Sequence, residues 1–135
     1  MSLDLDDIAQ LLAGSIAVMP VGRLIKQARG HMSNEATAIL LSSQTVRHIL
    51  SSHGDHLSPS DLVVIPQVIQ QGLWLADRDR ACRISYQEHD TGRHFVLAIK
   101  ATATRRELFV ATFHRSNRKQ FERLLRRGNV LRPHL

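Results

Sequence analysis

The residues of this chain that could do chemistry fall into three groups. Histidines come first: there are eight in 135 residues, and an imidazole is the side chain that changes charge nearest neutral pH. His48 and His53 lie in the stretch 45–54, His48 inside a candidate helix and His53 at its end. Either ring could move protons. Structural roles are open to them as well, because a ring in a helix's last turn gains from the helix dipole and one beside Ile49 can be half-buried and hydrogen-bonded. The second group is Arg83 and Lys100, with Thr112 and His114, in segments of strand-like alternation. The third is a basic run, Arg115, Arg118, Lys119, Arg123, Arg126 and Arg127, set against the single acid Glu122. Clustered positive charge of this kind is what neutralising a phosphate backbone requires.

Other chemistries are excluded by pattern. His48, His53 and His56 with Asp55 are spaced by five and then three, and a spacing of five does not stack on one helical face. The zinc-helix arrangement, two histidines four apart around a glutamate, is absent, so no metal or other cofactor is expected. The single cysteine, Cys82, rules out an internal disulfide and is expected as a small buried hydrophobe. Gly14, Gly22 and Gly30 are too scattered for a phosphate-binding loop. Ser42, Ser43, Ser51 and Ser52 lack a nucleophile elbow. Kinase, NTPase, dehydrogenase and serine-hydrolase readings fall away.

Composition sets the frame. Apolar residues make up 43% and charged residues 22%, and the net charge is +6, which fits one globular domain over 1–135 with an anionic partner. The longest apolar stretch, 8–21, is broken by Gln10, Gly14, Ser15 and Pro20 and comes after three aspartates, so neither a membrane span nor a signal peptide is expected. The chain is expected to begin near Met1 and to be cytoplasmic.

The elements that must position these groups can be read along the chain. Asp4 caps a helix whose face is Leu5, Ile8, Leu11 and Leu12, and Gly14 stops it. Pro20 and Gly22 break the next stretch, and 23–36 reads as irregular. Residues 38–41 form a short buried strand, and Ser42 or Ser43 caps a helix with Val46, Ile49 and Leu50 inside, ending at Gly54. Ser58 to Asp61 starts one short helix, or two turns broken at Pro66, ending at Gly72. The second half holds four candidate strands, 73–77, 82–88, 95–101 and 108–114, with short connections that argue for an antiparallel meander. A basic helix over 117–127 closes the chain. The fold expected is α+β, with N-terminal helices packed on one face of a four-stranded antiparallel sheet and a C-terminal basic helix.

Alternation then assigns faces. Phe95, Leu97 and Ile99 share one with Phe109, Ala111 and Phe113, and this face packs on the helices. The opposite face carries Arg83, Ser85, Gln87, Lys100, Thr112 and His114 with no acid among them. Trp74 is a core residue or a base-stacking one.

A strand, a helix with His-Ile and a second His, a Pro-containing helical turn with paired aliphatics, and a meander ending in Lys and Thr-Phe together resemble the phage-associated branch of the BECR nucleases. That superfamily groups barnase-, EndoU-, colicin- and RelE-like ribonucleases. The matching stretches are 39–53, 62–72 and 95–116. The resemblance implies a toxin-like, metal-independent endoribonuclease in which the 2′-OH attacks the neighbouring phosphate and leaves a 2′,3′-cyclic phosphate. It implies His48 and His53 as the helix histidines, Lys100 as the basic residue of the penultimate strand and Thr112 as the hydroxyl before the last strand's aromatic, Phe113. His114 stands where the family pattern has an aromatic, and Glu88 and Glu107 sit at strand ends rather than as a barnase-type base. His48 would serve as base or acid, with His53 or His114 as its complement. Arg83, Arg115, Arg118 and Lys119 would bind RNA. The implied partners are RNA and an acidic immunity or antitoxin protein. The alternatives are a nucleic-acid-binding module without catalysis and an interaction domain of a toxin system.

Overall fold

The computed structural model describes residues 1–33, 35–51, 57–78, 80–104, 106–127 and 129–135. Local signals set most of the element ends. Helix α1, Leu5–Ala13, has Asp4 as its N-cap: the Asp4 carboxylate accepts from the Asp7 N–H and the Asp7 carboxylate from the Asp4 N–H, satisfying two donors that a helix start leaves open. Gly14 ends it at φ 83°, a left-handed conformation that glycine adopts freely. Ile8 and Leu11 are buried, whereas Leu5 and Leu12 are exposed, so the buried stripe is narrower than the sequence pattern. Ser42 caps α3, Ser43–Ser51, by accepting from the Thr45 N–H at 3.1 Å. The helical stretch after Ser58 is two pieces, α4, Pro59–Leu62, and α5, Ile65–Gln71, with Pro66 in the first turn of α5, where its missing N–H costs nothing.

The sheet is larger than four strands. Strands β1 (Val18–Arg23), β2 (Ala38–Ser42), β3 (Leu73–Ala76), β4 (Ala81–Gln87), β5 (His94–Ala101), β6 (Leu108–Ser116) and β7 (Val130–Arg132) stand in the order β1-β2-β6-β5-β4-β3-β7. The meander β3-β4-β5-β6 is antiparallel throughout, but β2 joins β6 in parallel. The expected four-stranded antiparallel sheet is therefore replaced by a seven-stranded mixed one within the α+β class. Two strands escaped the alternation pattern. β1 contains Pro20 and Gly22, which read as breakers. Pro20 is tolerated because β1 is the edge of the sheet, and Gly22 lies under α5, where an added Cβ would come within 2.8 Å of the Ile69 side chain. β7 is only three residues long, beyond the basic helix. Segment 23–36, read as irregular, holds a 3-10 turn at Lys26–Ala28 and the short helix α2, Arg29–Met32.

Nor are the helices all on one face. Ile8, Leu11, Val46, Ile49, Leu62, Ile65, Val68 and Ile69 pack with Cys82, Ile84, Phe95, Leu97, Ile99 and Phe113 of one sheet face. Trp74 belongs to this core, fully buried, its indole N–H donating to the Ile69 carbonyl at 2.9 Å, so it is not available to stack on a base. The basic helix α6, Arg118–Arg126, lies on the other face, where Leu124 and Phe121 pack with Leu73, Leu75 and Val96. That face is half covered, and Ser85 beneath it is buried rather than exposed.

A bulge in β6 changes the expected facing. Leu97 pairs with Phe113 and Ala98 with Thr112, but Ile99 pairs with Val110. Ala111 is the extra residue, and one extra residue inverts the alternation beyond it. Leu108 and Val110 thus join Phe113 in the core, and Phe109 goes to the opposite face, against expectation.

One polar cluster ties the β4–β5 hairpin to α4. Arg93 bonds the Asp61 carboxylate at 2.5 Å and that of Glu88 at 2.9 Å. Burial alone would raise the Asp61 pKa, but the Ser58 N–H and hydroxyl and the Arg93 guanidinium more than offset it and hold the carboxyl below its ordinary value. The Thr91 hydroxyl, with Arg93, likewise depresses Glu88 against a weaker burial effect. Both groups are depressed in the folded state, so their stabilisation is present above their unfolded values, about 4, and is lost as pH falls through the folded ones. The urea midpoint should drop between pH 6 and pH 3. Asp61→Asn should cost about 1–3 kcal/mol at pH 7 and flatten that drop. An unchanged pH profile in the variant would rule out Asp61 as a source of the acid sensitivity.

Candidate functional site

The uncovered half of the second face is built from neighbouring rungs of the sheet. On one rung Leu75, Arg83, Ala98 and Thr112 lie side by side on β3, β4, β5 and β6. Neighbouring strands are about 4.8 Å apart, so Arg83 and Thr112 flank Ala98, whose single methyl leaves space between them. Lys100 is two residues beyond Ala98 on the same strand and therefore on the same face, roughly 7 Å along. His114, paired with Val96, is on the next rung in the opposite direction. Lys100 and Thr112 are exposed, His114 and Ala98 half-buried. Arg83 is oriented by Asp77, whose carboxylate accepts from its Nε at 3.0 Å. Lys100, Thr112 and His114 thus border a small floor, with the Arg83–Asp77 ion pair at its side; the expectation that Arg83 has no acid beside it does not hold, because Asp77 reaches it from the end of β3.

His48 comes from the other layer. It is exposed on α3, one turn beyond Thr45 on the same helix flank. The Thr45 hydroxyl is hydrogen-bonded to the Val110 carbonyl at 3.4 Å, directly before the bulge. Val46 and Ile49 of the same helix pack into the core on the helix-covered face, so α3, and His48 with it, lies on the opposite side of the sheet from Arg83, Lys100, Thr112 and His114. His53 lies outside the described residues, as do His56 and Asp55 of the rejected metal set. Among the described residues no group of three or more His, Cys, Asp or Glu side chains is placed to hold a metal ion.

The structure separates the remaining histidines by role. His31 is hydrogen-bonded to the Ala81 carbonyl at 2.8 Å. His134 accepts from the Gln87 N–H at 3.1 Å and stacks on Tyr86. His94 is buried beside Phe121, and burial, then the nearby charges of Arg118 and His134, lowers its pKa. These three rings are held in packing or hydrogen bonds. The imidazoles of His48, His89 and His114 have no hydrogen-bond or ion-pair partner among the described residues, and of these His114 shares a face with Arg83, Lys100 and Thr112.

The remaining RNA-binding candidates are set apart from this floor. Arg115 pairs across from Phe95 and so belongs to the helix-covered side of β6, where it is exposed at the strand's end. Arg118 and Lys119 are exposed in the first turn of α6, Arg118 bonded to Glu122 at 3.2 Å. The other end of α6 meets the floor: Arg127 and Leu124 line a small cavity of about 70 Å³ together with Asp77 and Arg83. Sequence reasoning missed Phe109, and the signal for it, an extra residue in β6, is not visible without the pairing.

No protein-family model, curated protein or solved structure matches the chain. No helix among the described residues is long and apolar enough to cross a membrane.

Cys82 is excluded from this chemistry by its surroundings. It is fully buried against Met32, and burial, with a smaller contribution from the Asp77 charge, pushes its thiol up to about 12. Iodoacetamide at pH 8 should leave Cys82 unmodified in the native protein and alkylate it fully in denaturant. Rapid native labelling, read by mass, would show the site to be open.

Proposed function

We propose that the chain is a metal-independent endoribonuclease of the kind implied by its resemblance to the phage-associated BECR nucleases. The observation that carries this reading is the Arg83–Ala98–Thr112 rung with Lys100 and His114 on the same uncovered face. A phosphodiester seated over Ala98 would have Lys100 on one side and the Thr112 hydroxyl on another, and Arg83 would reach it by leaving its ion pair with Asp77. The ribose 2′-OH would attack phosphorus and give its proton to one imidazole. The 5′-oxygen would leave, taking a proton from the Lys100 ammonium or from water. The products are a 2′,3′-cyclic phosphate and a 5′-hydroxyl.

In this scheme His114, which rises from the floor, takes the proton from the 2′-OH; His48 belongs to the α3 layer on the other side of the sheet and is not its partner. Lys100 and Arg83 stabilise the charge that develops on the phosphorane oxygens, where a preorganised donor is worth about 3 kcal/mol. Thr112 fixes a phosphate oxygen. The basic residues of α6 add sequence-independent attraction for the backbone, which weakens as salt rises. DNA would bind but not react, because it lacks the 2′-OH. An acidic immunity-type partner would cover the same surface.

The same surface supports a second reading, nucleic-acid binding without turnover, favoured by the concentration of exposed cations on α6 with only Arg118 paired to an acid along that helix among the described residues. One assay separates the two. Labelled RNA is incubated with the protein in excess EDTA, and the products are tested for a cyclic phosphate. Cleavage is expected, and His114→Ala should slow it about 100-fold or more. Salt-sensitive binding with no cleavage would establish the second reading. Cleavage abolished by EDTA would overturn the metal-free chemistry.

A further inference from the structure

The parity change at Ala111 creates a feature next to the proposed phosphate seat. Phe109 faces the open side of the sheet and pairs with Lys100 on β5 and with Leu40 on β2, and Leu40 pairs with Pro20 on β1. Pro20, Leu40, Phe109 and Lys100 therefore form one continuous rung across four strands. Neither Leu40 nor Phe109 belongs to either hydrophobic cluster. Leu40 and Phe109 are half-buried and Pro20 is exposed, so part of an aromatic ring and of two aliphatic side chains reaches water directly beside a lysine.

We infer that this rung is a nucleobase platform for single-stranded RNA, with Phe109 as the stacking residue and Lys100 holding the phosphate next to the bound base. The inference rests on the proposed action on RNA. It adds two properties: the substrate must be unpaired where it is held, and one nucleotide beside the bound phosphate is gripped by its base. A π-face is common to all four bases, so stacking gives strandedness selection with little sequence preference. A paired base cannot present its face to a sheet, because it is already stacked within the duplex.

The charge around the strip favours this occupant over a second protein chain. Lys100 ends the apolar strip, and a base with its phosphate matches an apolar strip ending in positive charge. Copies joined edge to edge through β1 are opposed by Pro20, which lacks an N–H to donate, and by the register break between Pro20 and Gly22.

The test uses an eight-nucleotide single-stranded RNA with 2′-fluoro sugars, which cannot be cleaved, and reads binding by fluorescence anisotropy. Phe109→Ala should weaken binding about tenfold and Phe109→Trp should retain it, with circular dichroism confirming that both fold. A series with one abasic nucleotide at each position should show one position whose loss weakens wild-type binding by a similar factor and leaves Phe109→Ala binding unchanged, so that the two losses do not add. A duplex of the same sequence should bind equally to wild type and Phe109→Ala. If Phe109→Ala binds like wild type while Lys100→Gln and Arg83→Gln weaken, RNA lies on this face but the platform assignment is wrong. If wild type does not bind the oligonucleotide at all, the RNA reading itself fails and this inference with it. Sedimentation showing a dimer that Phe109→Ala or Leu40→Gln dissociates would assign the strip to a second copy of the chain and overturn the proposal.

Discussion

Strand geometry leaves a side chain no choice of face: in a paired ladder, residues alternate, and their partners across the ladder point the same way. Everything proposed for this molecule depends on that constraint and on the one residue, Ala111, that interrupts it in β6. Before the interruption, Leu108 and Val110 fill the core. After it, Phe113 does the same, and Thr112 and His114 point outward. The bulge lets nine residues of one strand serve the core at both ends while presenting Phe109, Thr112 and His114 on the open face.

The two faces are unequal because the helices are unequal. α1, α3, α4 and α5 supply enough apolar surface to bury the middle of one face. Among the described residues α6 alone covers the other, and its apolar stripe is little more than Phe121 and Leu124, so it seals only the β3–β5 side. The uncovered remainder lies over β6, β2 and the far end of β5. The cations border this remainder: Arg83 reaches it from beneath the end of α6 and Lys100 stands within it. The candidate site thus lies where the helical cover runs out, beside the end of α6, a helix whose exposed side carries Arg118, Lys119, Arg123 and Arg126.

The middle of the fold was legible from local signals. Asp4 and Ser58, each with an aspartate three residues later, Gly14 after an apolar stripe, and four alternating runs with short turns each carry their physical cause in adjacent residues. The edges of the sheet were not legible. β1 is a strand despite Pro20 and Gly22 because an edge needs no donor on its outer side and because α5 presses on Gly22. The parallel joining of β2 to β6 links residues as distant in sequence as Ile39 and Leu108, and no local pattern announces it. Of the candidate site, Arg83, Lys100, Thr112 and His114 were assigned to one face correctly from alternation. Phe109 was assigned to the wrong side, because alternation counted from Phe113 is broken at Ala111.

The sequence by itself determined the charge, the absence of phosphate-loop and nucleophile-elbow motifs, the capped helices and the meander, since each depends on residue type and on neighbours a few positions away. Only the tertiary structure decided that Arg83 and Thr112 flank Ala98 on one rung, that α6 covers half of the second face, and that Phe109 shares the open face with Lys100. Those outcomes depend on pairing register and on packing between distant segments, and a single inserted residue is enough to exchange inside for outside.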